Sequence, residues 1–122
     1  AMVGLAQRYE VGLGVKQSDK KIIEMYEMAA KRGNANAQAK LGQFYNQGMY
    51  GLTLSSKKAI EYYTLAAEQG HAQAQTKLGA MYITGNGIEQ SYSKAREWFT
   101  KAAAQGQEEA INALKQFDEH GI

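Results

Sequence analysis

The two histidines are the first residues to consider for metal binding or acid–base chemistry. His71 and His120 lie far apart in the sequence, and neither has a second ligand three or four residues further on. That spacing would place two metal ligands on one face of a helix. The chain contains no cysteine, which excludes thiolate metal sites, disulfide bridges and cysteine nucleophiles. We therefore predict no metal site and no cofactor. His71 follows Gly70 at the start of a predicted helix, where it is expected to help satisfy free backbone groups.

Carboxylates could serve general acid–base catalysis, but their spacing has a simpler explanation. Glu27 precedes Lys31 by four residues, and Glu97 precedes Lys101 by the same interval. This order favours an ion pair on an exposed helix face. The repeat described below brings no serine, histidine and carboxylate together. We therefore predict no catalytic residue and no enzyme activity.

Glycine-rich stretches and recurring lysines raise the question of phosphate or nucleic-acid binding. The stretches "GLGV" (12–15) and "GNGI" (85–88) follow predicted helices, whereas a phosphate-binding loop follows a strand, so both are interpreted as turns. Lysines recur at positions 20–21, 57–58 and 94, but glutamates lie close to each of them. With 14 basic and 12 acidic residues, the net charge is only +2. We predict no nucleic-acid partner.

Hydropathy and the N-terminal sequence bear on location. No apolar run approaches 18 residues, so no membrane insertion is predicted. The opening "AMVGLAQRY" lacks the basic start and apolar core of a signal peptide. A chain without cysteine folds in either redox environment, so the compartment stays open, with the cytoplasm favoured.

The elements that position these residues follow from an internal repeat. The stretches "LGQFYNQGMYG" (41–51) and "LGAMYITGNG" (78–87) both contain Leu-Gly, two residues, Tyr, two residues and Gly. Leucines at positions 5, 41, 78 and 114 are separated by 36, 37 and 36 residues. The chain has no proline, and its apolar residues follow helical spacing. This period indicates stacked pairs of helices.

Each unit divides into a first and a second helix, and the full chain is predicted to contain seven helices. The first helices are predicted at 35–47 and 72–84, and the second helices begin at about 56 and 92. Serine can cap a helix N-terminus, and glycine adopts the left-handed conformation that ends a helix. The predicted N-caps of the second helices are Ser18, Ser55 and Ser91. The predicted terminating glycines are Gly33, Gly70 and Gly106.

Two glycines fall in the middle of the predicted first helices. At Gly42 and Gly79, glycine costs about 1 kcal/mol relative to alanine. Because the cost recurs, we predict that the second helix approaches the first closely at these positions and that Tyr45 and Tyr82 cover the crossing. One pair of helices cannot bury both of its faces, so stacking into a right-handed solenoid is expected.

The complete motif resembles the Sel1-like repeat, a relative of the tetratricopeptide repeat. It reads A-x-x-x-L-G-x-x-Y-x-x-G-x-G-x, a capping residue, K-A, an aromatic pair and K-A-A. Residues 72–106 match almost completely, 35–70 match with one inserted loop residue, and 1–33 match in part. The resemblance implies an all-α, right-handed superhelix in a single domain spanning 1–122. The units are placed at 1–33, 34–70, 71–106 and 107–122, the last being a polar terminal cap.

The resemblance also implies a non-enzymatic scaffold or adaptor. A peptide or partner protein would bind along a concave face lined by the first helix of each repeat, where side-chain amides can bond to a peptide backbone. The candidate residues for this face, named next, include no lysine or arginine, so recognition of an acidic tail is not predicted. Mapping the tetratricopeptide groove positions onto this sequence gives the candidate residues Asn36, Gln43, Asn46, Gln47, Gln73, Thr76, Ile83, Thr84 and Gln116.

Several alternatives stay open at this point. The amides could be an ordinary solvated surface. Met49 and Tyr50, in the loop insertion, could contact a partner or fold back on the helix ends. The chain could also be a structural spacer, or a fragment of a larger regulatory protein, without a ligand of its own. The sequence does not separate a monomer from weak end-to-end self-association.

Overall fold

The computed structural model describes residues 17–122, and the predicted all-α fold is confirmed there. This part of the chain contains no β-strand. A short 3-10 turn, Met49–Gly51, follows the helix Ala35–Gln47. The helix predicted within the first repeat, with Leu5 and the "GLGV" turn, lies outside the described residues. The helices are α1 (Gln17–Lys31), α2 (Ala35–Gln47), α3 (Ser56–Glu68), α4 (Ala72–Thr84), α5 (Tyr92–Ala103) and α6 (Glu108–Glu119).

The helices form a solenoid in which each packs against the next in the chain. The most extensive contacts lie within the pairs α2–α3 and α4–α5, and α3 packs against α4 to join the two pairs. Small residues make these close approaches possible. Ala59, Ala66 and Ala102 on the second helices are fully buried. Leu41 and Leu78, the repeated leucines, are likewise fully buried.

The mid-helix glycines are located where the paired helices come closest. A Cβ atom on Gly42 would lie 2.9 Å from Cδ1 of Tyr63, and one on Gly79 would lie 2.9 Å from Cε1 of Phe99. Real Cβ atoms do not approach carbon this closely. The predicted packing role of both glycines is therefore confirmed.

The ends of the second helices are formed largely as predicted. The Ser55 hydroxyl accepts a hydrogen bond of 3.1 Å from the Lys58 N–H, and Ser91 accepts one of 3.1 Å from the Lys94 N–H. The terminating glycines have φ values of +89°, +93° and +86°. The predicted cap at Ser18 is wrong, because this residue already lies inside α1. The "GNGI" stretch is a turn, as predicted.

Candidate functional site

The first helices α2 and α4 line a common groove, together with Tyr63 of α3, which packs against both helices. Its volume is about 180 Å³. We call it the α2–α4 groove. A neighbouring cavity shares Asn46, Tyr63 and Lys77 with it and extends it past Ala80 to Thr84 and Asn86. The groove is lined by Asn36, Ala39, Lys40, Gln43, Asn46, Gln47, Tyr63, His71, Gln73, Ala74 and Lys77.

Helical periodicity explains which side chains reach the groove. Residues three or four positions apart lie on the same face of a helix. On α2 this stripe runs through residues 36, 40, 43 and 47, and on α4 through 73, 77, 80 and 84. The two stripes occupy the same register in successive repeats. The groove is therefore a product of the repeat itself.

Six of the nine candidate residues from the sequence line this surface. Asn36, Gln43, Asn46, Gln47 and Gln73 lie in the groove, and Thr84 lies in its extension. The Thr84 hydroxyl donates to the Met81 carbonyl at 3.2 Å and accepts from the Asn86 N–H at 3.3 Å. The amide side chains of the groove are partly buried or exposed, so a partner protein can contact them.

Three of the nine candidates lie elsewhere. Thr76 is buried, with 5% of its surface exposed, and its hydroxyl donates to the Ala72 carbonyl at 3.1 Å. Ile83 is partly buried against the apolar cluster formed by α5 and α6. Gln116 is exposed on α6 and does not line the groove. Thr76 is therefore not accessible to a partner.

The sequence prediction missed the charged residues of the groove. Lys40 and Lys77 each precede a repeated leucine, and both are exposed groove residues. The expectation that lysine is absent from this surface is thus wrong. The signal was available, because Lys40 is four residues from Asn36 and Lys77 is four residues from Gln73. The positions carried over from tetratricopeptide repeats included Thr76 instead of Lys77 and did not include Lys40.

His71 connects the groove to the start of α4. Its Nδ1 accepts a hydrogen bond of 3.1 Å from the Ala74 N–H, so it caps the helix, as predicted. Nε2 lies 2.9 Å from Oδ1 of Asn36. These partners require a neutral ring with its hydrogen on Nε2, which then donates to the Asn36 oxygen. Burial lowers the pKa of His71 below its ordinary value, which agrees with a neutral ring.

Tyr63 joins the groove to the core. Its side chain is almost wholly buried, and its ring contacts the Gly42 backbone. Burial raises the pKa of Tyr63 to about 12, because the phenolate would lose its solvation. The residue therefore contributes a neutral aromatic surface at physiological pH.

The loop that the sequence offered as an alternative site folds back on the helices. The ring of Tyr50 packs edge-on against Phe44, with 4.8 Å between centroids, and Met49 packs against the same apolar cluster. Tyr50 has a φ of +55°, which is unusual for a residue other than glycine. Both side chains are partly buried, so this loop presents less apolar surface than its composition suggests.

Residues 17–122 also bear on the predictions about metal binding, surface ion pairs and membrane insertion. Within this range no three histidine, cysteine or carboxylate residues are grouped as a metal site would require. The predicted Glu27–Lys31 and Glu97–Lys101 ion pairs are not formed; the Lys101 ammonium instead lies 4.6 Å from the centroid of the Trp98 ring. None of the helices in this range combines the length and the hydropathy that crossing a bilayer requires.

Comparison with known proteins identifies the repeat. The Sel1 repeat matches the chain three times, over residues 1–34, 35–71 and 72–107. The chain belongs to the Sel1 repeat family. Sel1 repeats generally act as protein–protein interaction scaffolds, and the family is typically non-catalytic. None of the curated proteins matches the chain.

Two solved structures share the fold. A Sel1 repeat protein from Oxalobacter formigenes superimposes with a TM-score of 0.81 at 33% identity, over 96% of this chain and 48% of its own. A protective antigen of uropathogenic Escherichia coli with an SLR fold gives a TM-score of 0.82 at 36% identity. That match covers 97% of this chain and 25% of the antigen. This Sel1 repeat chain therefore spans about half of the first relative and a quarter of the second.

Proposed function

We propose that this Sel1 repeat protein is a scaffold whose α2–α4 groove binds an extended peptide segment of a partner protein. The observation that carries the proposal is the groove itself. Equivalent stripes of two successive repeats face it, and it is lined by the exposed amide of Gln73 and the partly exposed amides of Gln43 and Asn46. The protein-interaction role of the family supports the same function.

The chemistry of the lining suits a peptide backbone. Each side-chain amide offers donors and an acceptor, which are the groups that an extended peptide requires. The amides lie on helices that pack tightly against their neighbours, so the backbone loses little conformational freedom on binding. Thr84 and Ala80 extend the same surface along α4. Together these features favour a segment that runs along the groove.

The proposal can be tested by selecting peptides from a displayed random dodecapeptide library. The groove variant is Gln43→Ala with Ala80→Trp, which removes an amide and fills the exposed end of the groove. Selected peptides are then synthesised and their dissociation constants measured by fluorescence anisotropy. We expect the groove variant to bind at least ten-fold more weakly than the wild type.

A matched control carries the same residue changes outside the groove. Gln17→Ala with Ala104→Trp alters two exposed positions on α1 and at the end of α5. This control should bind the peptides as the wild type does, and circular dichroism should show both variants folded. Equal binding by the groove variant would refute the groove assignment. Failure to select any peptide would favour a structural spacer.

A further inference from the structure

Charge is distributed unequally between the two helices that form the groove and the other described helices. The helices that form the groove, α2 and α4, carry no aspartate or glutamate, and their only charged residues are Lys40 and Lys77. The remaining helices carry the acidic residues of the described chain except Glu89, which lies in the loop before α5. Among the described residues, the groove lining therefore carries only positive charge, although the net charge of the whole chain is only +2.

The two lysines are available to a ligand. Both side chains are exposed in the groove wall, and in residues 17–122 neither forms an ion pair with a carboxylate. Several basic side chains outside the groove are already engaged. Lys58 and Lys94 lie over the rings of Tyr45 and Tyr82, and Arg96 pairs with Asp118 at 3.1 Å. No carboxylate lines the groove among the described residues.

We propose that the α2–α4 groove selects acidic peptide segments, with Lys40 and Lys77 binding carboxylates while the neighbouring amides bind the peptide backbone. The inference rests on the proposed function and names the chemistry of the partner. A hydrogen bond between a lysine ammonium and a carboxylate is stronger than one between neutral groups. Opposite charge also speeds association and disfavours basic competitors.

The α2–α4 groove, with its two lysines, suits a peptide better than a nucleic acid. Affinity for a nucleic acid comes from neutralising many phosphates along a basic surface, and single-stranded binding adds exposed aromatic rings on which bases stack. Within residues 17–122 the groove has only these two cations, and the Tyr63 ring in its lining is almost wholly buried. Its amides match the donors and acceptors of a polypeptide backbone.

The test uses the displayed library and reads the sequences that are selected. The variant Lys40→Gln/Lys77→Gln removes both charges and keeps side chains of similar length. Lys57→Gln/Lys115→Gln is the matched control, because it removes the same charge from exposed positions outside the groove. We expect wild type and control to enrich aspartate and glutamate relative to the starting library, and the groove variant to lose this enrichment.

A synthetic peptide from the wild-type selection, and its counterpart with every Asp and Glu changed to Asn and Gln, complete the test. The wild type should bind the acidic peptide at least ten-fold more tightly, and the Lys40→Gln/Lys77→Gln variant should bind the two within about two-fold. Raising the salt concentration should weaken acidic-peptide binding by the wild type more than by this variant.

The outcomes separate this inference from the proposed function. Peptides that depend on Gln43 and Ala80 but show no acidic enrichment would leave the groove function standing and overturn the acidic selectivity. An equal loss of binding in the control would also overturn it, because attraction would then come from overall charge. Failure to select any peptide would overturn both. If a labelled single-stranded oligonucleotide bound more tightly than the acidic peptide, and through the same lysines, nucleic acid would replace the peptide as the ligand.

Discussion

The side-chain amide of Gln69 donates a hydrogen bond of 2.7 Å to Oε1 of Gln38. Gln38 is buried at the start of α2, and its Nε2 donates to the Ala30 carbonyl at the end of α1, at 3.1 Å. One glutamine thus connects the ends of three helices. The next repeat has the same arrangement, in which Gln75 donates to the Ala67 carbonyl and accepts from Gln105. These paired glutamines fix how each repeat sits on the previous one.

Replacing Gln38 with alanine should destabilise the protein. The change removes the hydrogen bonds that Gln38 donates to the Ala30 carbonyl and accepts from Gln69, and it creates a void, although the carbonyl still accepts from the Gly33 N–H. One intramolecular hydrogen bond contributes about 0.5–1.5 kcal/mol, so losing two costs about 1–3 kcal/mol. We expect the free energy of unfolding, measured by urea denaturation, to fall by about that amount. Gln75→Ala should have a similar effect, because its bonds are equivalent.

An exposed glutamine on the same type of helix serves as the control. Gln73→Ala removes a groove side chain that is not part of the glutamine pairs, and it should change stability by less than about 0.5 kcal/mol. If Gln38→Ala were as mild as Gln73→Ala, the paired glutamines would not hold adjacent repeats together.

The mid-helix glycine Gly79 gives a prediction that opposes helix propensity. Alanine is favoured over glycine in a helix by about 1 kcal/mol. Here, however, its Cβ would overlap the Phe99 ring, and overpacking a core costs about 1–3 kcal/mol. We expect Gly79→Ala to lower the free energy of unfolding and the thermal midpoint. Gly42→Ala should have the same effect, because its Cβ would overlap the Tyr63 ring.

A second substitution tests the cause. In a Phe99→Ala background the obstructing ring is gone. Adding Gly79→Ala should then no longer destabilise the protein, and its free energy of unfolding should rise by part of the helix-propensity difference between glycine and alanine. The double-mutant cycle measures this coupling. An equal cost in both backgrounds would contradict the close contact between glycine and ring.

Repetition explains how much of the fold could be predicted from the sequence. Gly42 and Gly79 occupy the same step of the repeat, so their shared packing role could be inferred without any contact being known. The first-helix caps show the limit. Asn34, His71 and Gln107 all cap first helices through a side-chain acceptor, yet they are three different residues. Only His71 was recognised, because a comparison of identities does not reveal a shared hydrogen-bonding role.

Six of the nine candidate residues line the α2–α4 groove or its extension, but the sequence prediction missed the charged residues there. Carrying positions over from a related repeat located the amides, while the direction of each side chain depends on the rotation of the helix. Thr76 faces inward and its neighbour Lys77 faces the groove, although they are adjacent in sequence. Tyr50 has no counterpart in the next repeat, and its fold-back depends on the ring of Phe44, which no periodicity predicts.

The buried side chain of Tyr63 predicts a loss of stability at high pH. Its pKa is about 12 in the folded protein and near 10 when unfolded, so the unfolded chain ionises first. The stabilisation is complete below pH 10 and is lost as the pH rises towards 12. We expect urea unfolding at pH 9 and pH 11 to show a larger loss for the wild type than for Tyr63→Phe. Tyr92→Phe, at an exposed residue, should keep the wild-type loss.

His71 predicts a loss of stability in acid. Capping requires an unprotonated Nδ1, and burial lowers the pKa in the folded protein below the value of 6.5 expected when unfolded. The stabilisation is therefore complete above pH 6.5 and is lost as the pH falls through the folded pKa. Urea unfolding at pH 7.5 and pH 5 should show this loss in the wild type.

Asparagine at position 71 distinguishes the cap from other acid effects. Asn34 caps α2 at the equivalent position, accepting a hydrogen bond of 2.9 Å from the Ala37 N–H. His71→Asn should therefore keep a cap that does not titrate, and its stability should change less between pH 7.5 and pH 5. His120→Asn, at an exposed residue beyond α6, should retain the wild-type pH dependence. If His71→Asn lost as much stability in acid as the wild type, protonation of His71 would not be the cause, and the acid sensitivity would have to arise from other groups.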